Sequence, residues 1–331
     1  MPYRVLIIGC GNIAGGFDAD RPEDAPPLTH AGAFARDPRF AMTACVDPDE
    51  GRRTAFAERW QVPVAAADLA SLDAAPGAFD VISICSPTDL HEDHFTQALT
   101  LSPKLIFCEK PVATTALASE RLIAAAAEAG VRLAVNHTRR WAPDVVELAA
   151  QLQGGAWGAI RSAHGLYTKG VVHNGGHMVD LLRLLLGELS IDAAGAPVRD
   201  HWDRDPSVPA LLRSAAGVPV HLSVGHAADY AVFELTLVTE RGTIAMLDGG
   251  ASWALRRVQD SNTFAGYRVL GPVESVAGRY DLAMPAAVAN IADALDNDAP
   301  LASDGGNALA AQRLCEAIRD AAASTSTRIT E

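Results

Sequence analysis

Residues 5–16 read VLIIGCGNIAGG, an apolar run followed by closely spaced glycines. The run 5–8 is typical of a strand buried on both faces of a parallel sheet. Gly9, Gly11 and Ala14 then fit the G-x-G-x-x-G/A pattern of a strand–turn–helix unit that binds a dinucleotide. Gly9 permits the tight turn, Gly11 leaves space for a pyrophosphate, and Ala14 lets the helix pack closely on the sheet. The stretch therefore predicts a nucleotide-binding first domain.

A second apolar run, residues 40–46, ends at Asp47. In dinucleotide-binding folds a carboxylate at this place accepts hydrogen bonds from the adenosine ribose and repels a 2′-phosphate. Asp47 therefore favours NAD, with NADP as the alternative cofactor, while an ordinary turn or N-cap role is the competing interpretation. The gap from the glycines exceeds the usual ~20 residues. We attribute it to an insertion at residues 17–29, which holds three prolines and four acids, and expect helix to resume after Thr29.

The size and composition of the chain limit the classes of function. A chain of 331 residues is long enough for two domains. Its net charge of −13 argues against nucleic acid and against an anionic membrane surface as partners. No apolar run reaches the ~18 residues of a membrane span, and the chain enters a strand directly, so we expect no signal peptide. The five cysteines lack C-x-x-C spacing and are typical of buried thiols in a protein of the reducing cytoplasm.

The predicted elements change their pattern near residue 137. Apolar strands alternate with helices over residues 1–137, which predicts a doubly wound parallel sheet of the Rossmann type. Residues 138–331 instead hold successive strand-like runs joined by hairpin turns, with helices before and after them. This pattern predicts an α+β domain with a large, mostly antiparallel, open-faced sheet. We expect a second copy to cover the exposed face, in a homodimer or homotetramer.

Residues at the carboxyl ends of the predicted parallel strands are candidates for the cofactor site, because ligands of such sheets bind there. Lys110 stands between Glu109 and Pro111 at one strand end, and we interpret it as a catalytic lysine rather than a solvated charge. His91 either borders the nicotinamide or is, like His94, an exposed helix residue. The candidate cofactor-binding residues are Gly9, Gly11, Asn12, Ile13, Asp47, Ser86, Pro87, Thr88, His91, Glu109, Lys110 and Asn136.

A second group of chemically competent side chains lies in residues 167–187, YTKGVVHNGGHMVDLLRLLLG. A helix that begins near Gly175 places His177 at its start and Asp180 one turn later on the same face. An ammonium such as that of Lys110 stabilises alkoxide character, and an imidazole moves the proton, so the two suit alcohol–ketone redox chemistry. Helix-capping or surface histidines are the simpler alternative.

The substrate site is expected to draw on both regions. Aromatic faces pack on the C–H surfaces of sugars, and Lys169 can bond hydroxyls or an acidic group. Arg139, Arg140 and Trp141 either reach the cleft or form a solvated arginine pair beside a packed tryptophan. A metal at the two histidines and Asp180 has no further ligand cluster to support it, so we expect none. The candidate substrate-binding residues are Lys110, Arg140, Trp141, Tyr167, Lys169, His173, Asn174 and His177.

Taken together, these motifs resemble the Gfo/Idh/MocA family, named after glucose–fructose oxidoreductase, inositol dehydrogenase and rhizopine catabolism. The resemblance implies a Rossmann domain, an open-faced sheet domain used for oligomerisation, NAD or NADP, and sugars, cyclitols or related polyols as substrates. It also matches Lys110 to the family's lysine and His177 to its proton-transferring histidine, whereas many members carry aspartate where this chain has His173. The matching stretches are GCGNIA at 9–14, SPTDLH at 86–91, EKP at 109–111, NHTRRW at 136–141, HNGGHMVDLLRLLLG at 173–187 and SDGGNALAAQRLCEAI at 303–318.

We therefore predict an NAD(P)-dependent sugar or cyclitol dehydrogenase that interconverts a secondary alcohol and a ketone. The carbinol hydride goes to the nicotinamide, His177 takes the hydroxyl proton and Lys110 stabilises the developing alkoxide. His173 is the third candidate catalytic residue. Two alternatives stay open: a glycoside hydrolase that uses tightly held NAD for transient oxidation, and a non-catalytic nucleotide or sugar sensor.

Overall fold

The computed structural model describes residues 1–22 and 24–328. These residues form two compact units, each with its own sheet. The units comprise Met1–Ala142 with Asp281–Ala310, and Pro143–Tyr280 with the chain from Ala311 onward.

The first unit is a doubly wound parallel sheet, which confirms the predicted Rossmann arrangement. Within the described residues its six strands are β1 Tyr3–Ile8, β2 Phe40–Val46, β3 Val64–Ala66, β4 Val81–Ile84, β5 Leu105–Cys108 and β6 Arg132–Val135. Their order is β3–β2–β1–β4–β5–β6. The connecting helices are α1 His30–Arg36, α2 Glu50–Trp60, α3 His91–Thr100 and α4 Ala116–Glu128. The strands are apolar along most of their length because buried clusters lie on both faces of the sheet.

The predicted insertion lies between the turn that follows the glycines and helix α1, which begins after Thr29 as expected. A first helical turn follows the glycines, with the N–H of Phe17 donating to the carbonyl oxygen of Asn12. Helix α1 then continues that turn, because the N–H of Ala31 donates to the carbonyl oxygen of Ala14 at 2.8 Å. Thr29 caps α1, as expected. When the insertion is left out, the glycines and the carboxylate after β2 regain the usual separation of ~20 residues.

Helix α7, Ala283–Asn297, belongs to the first unit although it lies far along the chain. Its apolar side chains, including Met284 and Ile291, join the buried cluster that also contains residues of β1 and α1. The expected division into residues 1–137 and 138–331 differs from the observed units in this respect. The sequence shows that α7 has an apolar face but does not show which sheet that face covers.

In the described part of the chain, the second unit is built around a nine-stranded mixed sheet and a two-stranded hairpin. Its strands are β7 Ile160–Tyr167, β8 Leu189–Ala194, β9 Val198–Trp202, β10 Asp205–Ser207, β11 Ala210–Ser214, β12 Pro219–Val224, β13 Phe233–Thr239, β14 Gly242–Leu247, β15 Ser252–Asp260, β16 Arg268–Leu270 and β17 Glu274–Ala277. The sheet order is β16–β15–β14–β13–β7–β12–β11–β8, with β17 paired to β15, while β9 and β10 form the hairpin. The remaining helices are α5 Pro143–Gln153, α6 Gly175–Leu186 and α8 Gly305–Arg328, of which α8 begins in the first unit.

The large sheet of the second unit has one buried face and one open face. Strands β13 and β14 alternate buried and half-buried side chains, as a sheet covered on one face requires. Among the described pairings of this sheet, only β7 with β12 is parallel, so the predicted mostly antiparallel sheet is confirmed. Among the described residues, no helix is long and apolar enough to cross a membrane. All five cysteines are buried thiols, as expected.

Candidate active site

The glycine turn after β1 has the shape that a dinucleotide needs. Gly9 has a φ of +89°, and a Cβ on it would lie 2.7 Å from the backbone nitrogen of Ser86, so a side chain there would prevent this close approach. A Cβ on Gly11 would meet no atom within 4 Å, which leaves its backbone open to a ligand. A cavity of about 230 Å³ borders the turn. These residues fit the pyrophosphate of NAD(P), and contacts from Asn12 and Ile13 on the same turn stay a prediction.

Asp47 is buried at the end of β2, with its carboxylate fixed by the backbone. Its Oδ2 accepts a hydrogen bond from the N–H of Cys10, and its Oδ1 accepts one from the N–H of Asp49, each at 2.9 Å. The N-cap of α2 is Asp49, so the N-cap interpretation of Asp47 is wrong. Because a carboxylate oxygen has two lone pairs, Asp47 can organise the turn and still accept from a ribose hydroxyl.

Lys110 follows a buried polar cluster that joins three strand ends to α1. We call it the His30 cluster: His30, Ser83, Glu109 and Asn136. The two ring nitrogens of His30 form hydrogen bonds with Ser83 Oγ at 2.7 Å and with Glu109 Oε1 at 3.0 Å. The side-chain amide of Asn136 donates to the same carboxylate oxygen at 2.6 Å. Glu109 and Asn136 were predicted as cofactor contacts, and the structure shows that both side chains hold the segment from which Lys110 projects.

Two members of the His30 cluster, His30 and Glu109, have shifted pKa values. Burial opposes the imidazolium of His30, but interactions with Cys85 and then Glu109 outweigh it and raise the pKa of His30. Burial also opposes the carboxylate of Glu109, but His30, then Lys110 and Asn136, outweigh it and hold the pKa of Glu109 below its ordinary value. Both shifts favour the charged forms of His30 and Glu109, and the carboxylate of Glu109 lies next to the lysine in the chain.

His91 is buried, so the interpretation as an exposed helix residue is wrong, while its place beside the nicotinamide stays a prediction. Its ring nitrogens form 2.8 Å hydrogen bonds with the carbonyl oxygens of Ser86 and Pro111. The hydroxyl of Ser86 in turn bonds Nδ1 of His94, whose pKa is lowered by burial. His91 thus connects the turn after β4 to the turn that carries Lys110. The sequence does not predict this role, because the pattern of residues at the start of a helix does not determine whether a histidine there is exposed or buried.

Three residues expected to line the substrate pocket are buried. Tyr167 is 0% exposed, and its hydroxyl donates to the carbonyl oxygen of Val208 at 2.8 Å. Trp141 is 4% exposed, and its Nε1–H donates to Oδ1 of Asn290 at 2.9 Å. Arg140 is also buried. The expectation of aromatic sugar contacts from Tyr167 and Trp141 is therefore corrected, since the packing of each unit hides both rings.

The candidate histidines lie on one turn and one helix of the second unit. A single π-helical turn, Gly170–Asn174, leads directly into α6, which begins at Gly175 as predicted. His177 is half-buried in the first turn of α6, and His173 is exposed on the π-helical turn. The side-chain amide of Asn174 donates to a backbone carbonyl oxygen at 2.8 Å, so it holds the turn. Among the described residues, no group of three His, Cys, Asp or Glu side chains could hold a metal ion.

Two aspartates that sequence analysis did not single out fix this turn. Asp200 Oδ2 accepts from the N–H of Lys169 at 2.7 Å, and Asp205 Oδ2 accepts from the N–H of His173 at 2.9 Å. Lys169 itself has a φ of +63°, a backbone conformation that residues other than glycine seldom adopt. Both aspartates lie on the β9–β10 hairpin, later in the chain. The sequence contains no motif that connects them to the turn.

Comparison with known proteins identifies the family. A family model described as an oxidoreductase family with an NAD-binding Rossmann fold, GFO_IDH_MocA, matches residues 3–137. Inositol 2-dehydrogenase 2 of Saccharopolyspora erythraea is 30% identical over 206 residues, 58% of this chain and 56% of that protein. Inositol 2-dehydrogenase 1 of the same organism is 30% identical over 273 residues, 74% of each chain.

A solved structure of a 3-ketoreductase from Actinomadura kijaniata, in complex with NADP and TDP-benzene, superimposes with a TM-score of 0.76. The match covers 97% of this chain and 98% of that one at 21% identity, so it shows the shared fold alone. Together with the relatives, these findings confirm the resemblance that the motifs indicated. The chain belongs to the Gfo/Idh/MocA oxidoreductase family, and residues 3–137 are its NAD-binding Rossmann domain.

Proposed function

We propose that this protein interconverts a secondary alcohol and a ketone on a sugar, a cyclitol or a sugar derivative, with NAD or NADP as the second substrate. The observation that carries the proposal is the position of Lys110. It lies two residues after β5, at the sheet edge where the glycine turn after β1 lies, and the His30 cluster holds the residue before it. Membership of an oxidoreductase family supports the reaction class, and the inositol dehydrogenases among the relatives support a polyol substrate.

In the proposed oxidation, the bound cofactor supplies the acceptor for the carbinol hydride. The ammonium of Lys110 stabilises the negative charge that develops on the carbinol oxygen. His177 accepts the hydroxyl proton, and the carbon becomes a ketone. In the reverse direction His177 returns the proton to the ketone oxygen. Gly9 and Gly11 would hold the pyrophosphate, and Asp47 would accept from the ribose.

Asp47 also carries the proposed preference for NAD. A fixed carboxylate near the ribose disfavours the 2′-phosphate of NADP through like-charge repulsion. Arg53 donates to the carbonyl oxygen of Asp47, so a cation that could offset part of the repulsion is close by. We therefore propose NAD as the preferred cofactor and NADP as the weaker one.

Two further assignments belong to the proposal. Lys169, half-buried just before the π-helical turn, would bond a hydroxyl or an acidic group of the substrate. The open face of the second unit's sheet would be covered by a second copy, in a homodimer or homotetramer. Light scattering at micromolar concentration tests this assembly, and a monomer would contradict it.

The reaction is tested by incubating the protein with NAD and a panel of inositols, aldoses, methyl glucosides and nucleotide sugars. We expect NADH to form with at least one cyclic polyol. The role of Lys110 is tested with Lys110→Ala, and Lys104→Ala is its matched control. Lys104 lies just before β5 and pairs with Asp80 at the surface, whereas Lys110 follows the same strand. Cleavage of a glucoside without net NADH would instead indicate the hydrolase alternative. Cofactor binding with neither activity would indicate a sensor.

A further inference from the structure

Trp202 is a partly exposed aromatic side chain next to the turn that carries His173. Its side chain is 38% exposed, and its ring centroid lies 4.4 Å from that of His173 and 4.2 Å from that of His201. A half-exposed tryptophan is by itself unremarkable, since so large a side chain is seldom fully buried. The contact with a candidate catalytic histidine is what makes its position informative.

The hairpin that carries Trp202 is fixed to this turn by ionic hydrogen bonds. Besides binding the N–H of Lys169, the buried carboxylate of Asp200 accepts from Ser207 Oγ at 2.9 Å. Ser207 Oγ in turn accepts from the N–H of Gly170 at 2.9 Å. Hydrogen bonds to a carboxylate are roughly twice as strong as neutral ones. These hydrogen bonds therefore fix the hairpin to the turn, with Trp202 beside His173.

Gly170 shows how closely the two segments approach. A Cβ on Gly170 would lie 2.1 Å from Oδ2 of Asp205, and its φ is +78°, so a side chain there would push the hairpin away. The oxygens of Asp205 also accept from the backbone of Val172 and His173, both at 2.9 Å. Two of the hairpin's three carboxylates, those of Asp200 and Asp205, thus fix the backbone of the turn, and the Trp202 ring lies beside them as an exposed aromatic surface.

We infer that Trp202 is a specificity-determining residue that packs against the C–H face of a cyclic polyol. The inference rests on the proposed function, because it takes His173 and His177 as the place where the substrate reacts. A pyranose or cyclitol ring presents a rigid apolar face, and an indole offers a large apolar surface at little entropic cost. With Tyr167 and Trp141 buried, Trp202 takes the role that sequence analysis gave to those rings.

The test compares Trp202→Ala and Trp202→Phe with the parent protein on the cyclic polyol that the panel shows to be oxidised. We expect Trp202→Ala to raise KM about tenfold while kcat stays within about threefold of the parent. Trp202→Phe should recover most of the affinity. Tyr267→Ala is the matched control, since Tyr267 is 68% exposed in the same unit and lies on a different loop. It should leave KM unchanged.

An unchanged KM in Trp202→Ala overturns the inference, and so does a raised KM that Trp202→Phe fails to restore, because an apolar ring is then not what matters. A lower melting temperature in Trp202→Ala also overturns it, by assigning the side chain to stability. If the parent forms no NADH with any compound, the proposed function fails, and saturation-transfer NMR with myo-inositol decides about Trp202 separately. Binding that is lost in Trp202→Ala supports the inference, and binding that is absent or unaffected overturns it.

Discussion

The two segments proposed to carry catalysis are both held by carboxylates, but in different ways. In the first unit, Glu109 is the chain neighbour of Lys110, and its charge is matched by the buried side chain of His30. In the second unit, Asp200 and Asp205 come from a hairpin further along the chain and bind backbone N–H groups around the π-helical turn.

The two regions therefore have different effects: the first acts on the charge around Lys110, and the second acts on the position of the turn that carries His173. The His30 cluster sets the electrostatic surroundings of the lysine, and its own charges depend on pH. The hairpin sets where the histidine backbone lies, through hydrogen bonds that join carboxylate acceptors to backbone N–H donors, which do not titrate. Substitutions in the first region should therefore change pH profiles, and substitutions in the second should change activity without changing its pH dependence.

Removing the proposed catalytic groups should have the largest effect. Lys110→Ala and His177→Ala should each lower kcat by roughly 10²–10⁴, the usual range for acid–base groups. Cofactor affinity should barely change, because neither residue is assigned to the pyrophosphate or the ribose. Steady-state kinetics with the substrate found in the panel, together with NAD titration, measure both. The surface variant Lys104→Ala should behave like the parent.

Glu109→Gln should give the next largest effect, because it leaves His30 without its buried counter-charge. We expect a loss of up to about 3 kcal/mol in unfolding free energy. The pKa of His30 is raised above its ordinary 6.5. Its stabilising contribution to the unfolding free energy is therefore complete below pH 6.5 and is lost as pH rises through the raised pKa. The pKa of Glu109 is lowered from its ordinary 4.5. Its stabilising contribution to the unfolding free energy is therefore complete above pH 4.5 and is lost as pH falls through the lowered pKa.

The stability difference between the parent and Glu109→Gln should therefore be largest between those two ordinary values and shrink as the solution becomes alkaline. Thermal unfolding at about pH 6 and about pH 9 measures it. A difference that stays constant over this range would mean that His30 is neutral in the folded protein. Glu92→Gln, at a solvent-exposed ion pair with Arg121, is a suitable control and should change little at either pH.

Asp205→Asn should have a smaller effect that does not follow pH. The amide keeps an oxygen for one backbone N–H but loses the charge, which we expect to lower the unfolding free energy by about 1–2 kcal/mol. The activity should fall while the shape of its pH profile is retained. Asp192→Asn, at a partly exposed pair with Arg213, should stay within about 1 kcal/mol of the parent. A shifted pH profile in Asp205→Asn would show that the hairpin also acts electrostatically.

The two regions also show what sequence can and cannot predict. Strand ends follow from apolar runs and glycines, so the local pattern predicts the positions of Asp47 and Lys110 and the doubly wound parallel sheet. The start of α6, and with it the place of His177, followed from a glycine pair before an apolar helix. His30 could not be identified from the sequence because an insertion separates it from the glycines, and only the hydrogen bonds from the N–H groups of His30 and Ala31 to the carbonyl oxygens of Ile13 and Ala14 join α1 to the turn after the glycines.

The hairpin contacts could not be predicted for a different reason. Asp200 and Asp205 act through backbone N–H groups of the turn, and any residue has such a group, so no pairing of residue types reveals the contact. Burial was also misjudged for Tyr167 and His91, since polar aromatic residues bury readily when a carbonyl oxygen accepts their proton.

The smallest expected effect concerns cofactor choice. Asp47→Asn keeps acceptor oxygen for the N–H of Cys10 but removes the negative charge. The preference for NAD over NADP should fall by about tenfold, as expected when one like-charge contact is removed. Fluorescence titration with both cofactors measures the ratio. Asp49→Asn is the control, since its side chain caps α2, and tighter binding of NADP by the parent would contradict the assignment of Asp47.

The double variant Lys110→Ala/His177→Ala asks most directly whether the two side chains serve one proton movement. Its kcat should lie within about tenfold of that of the slower single variant. When two groups act together in one step, removing either one already abolishes their joint effect, so removing the second costs little more. Single-turnover NADH formation with the confirmed substrate is the measurement, with NAD binding checked in each variant. If the two losses multiply, or if either single variant folds, binds NAD and reacts at the parent rate, Lys110 and His177 do not share the step proposed for them.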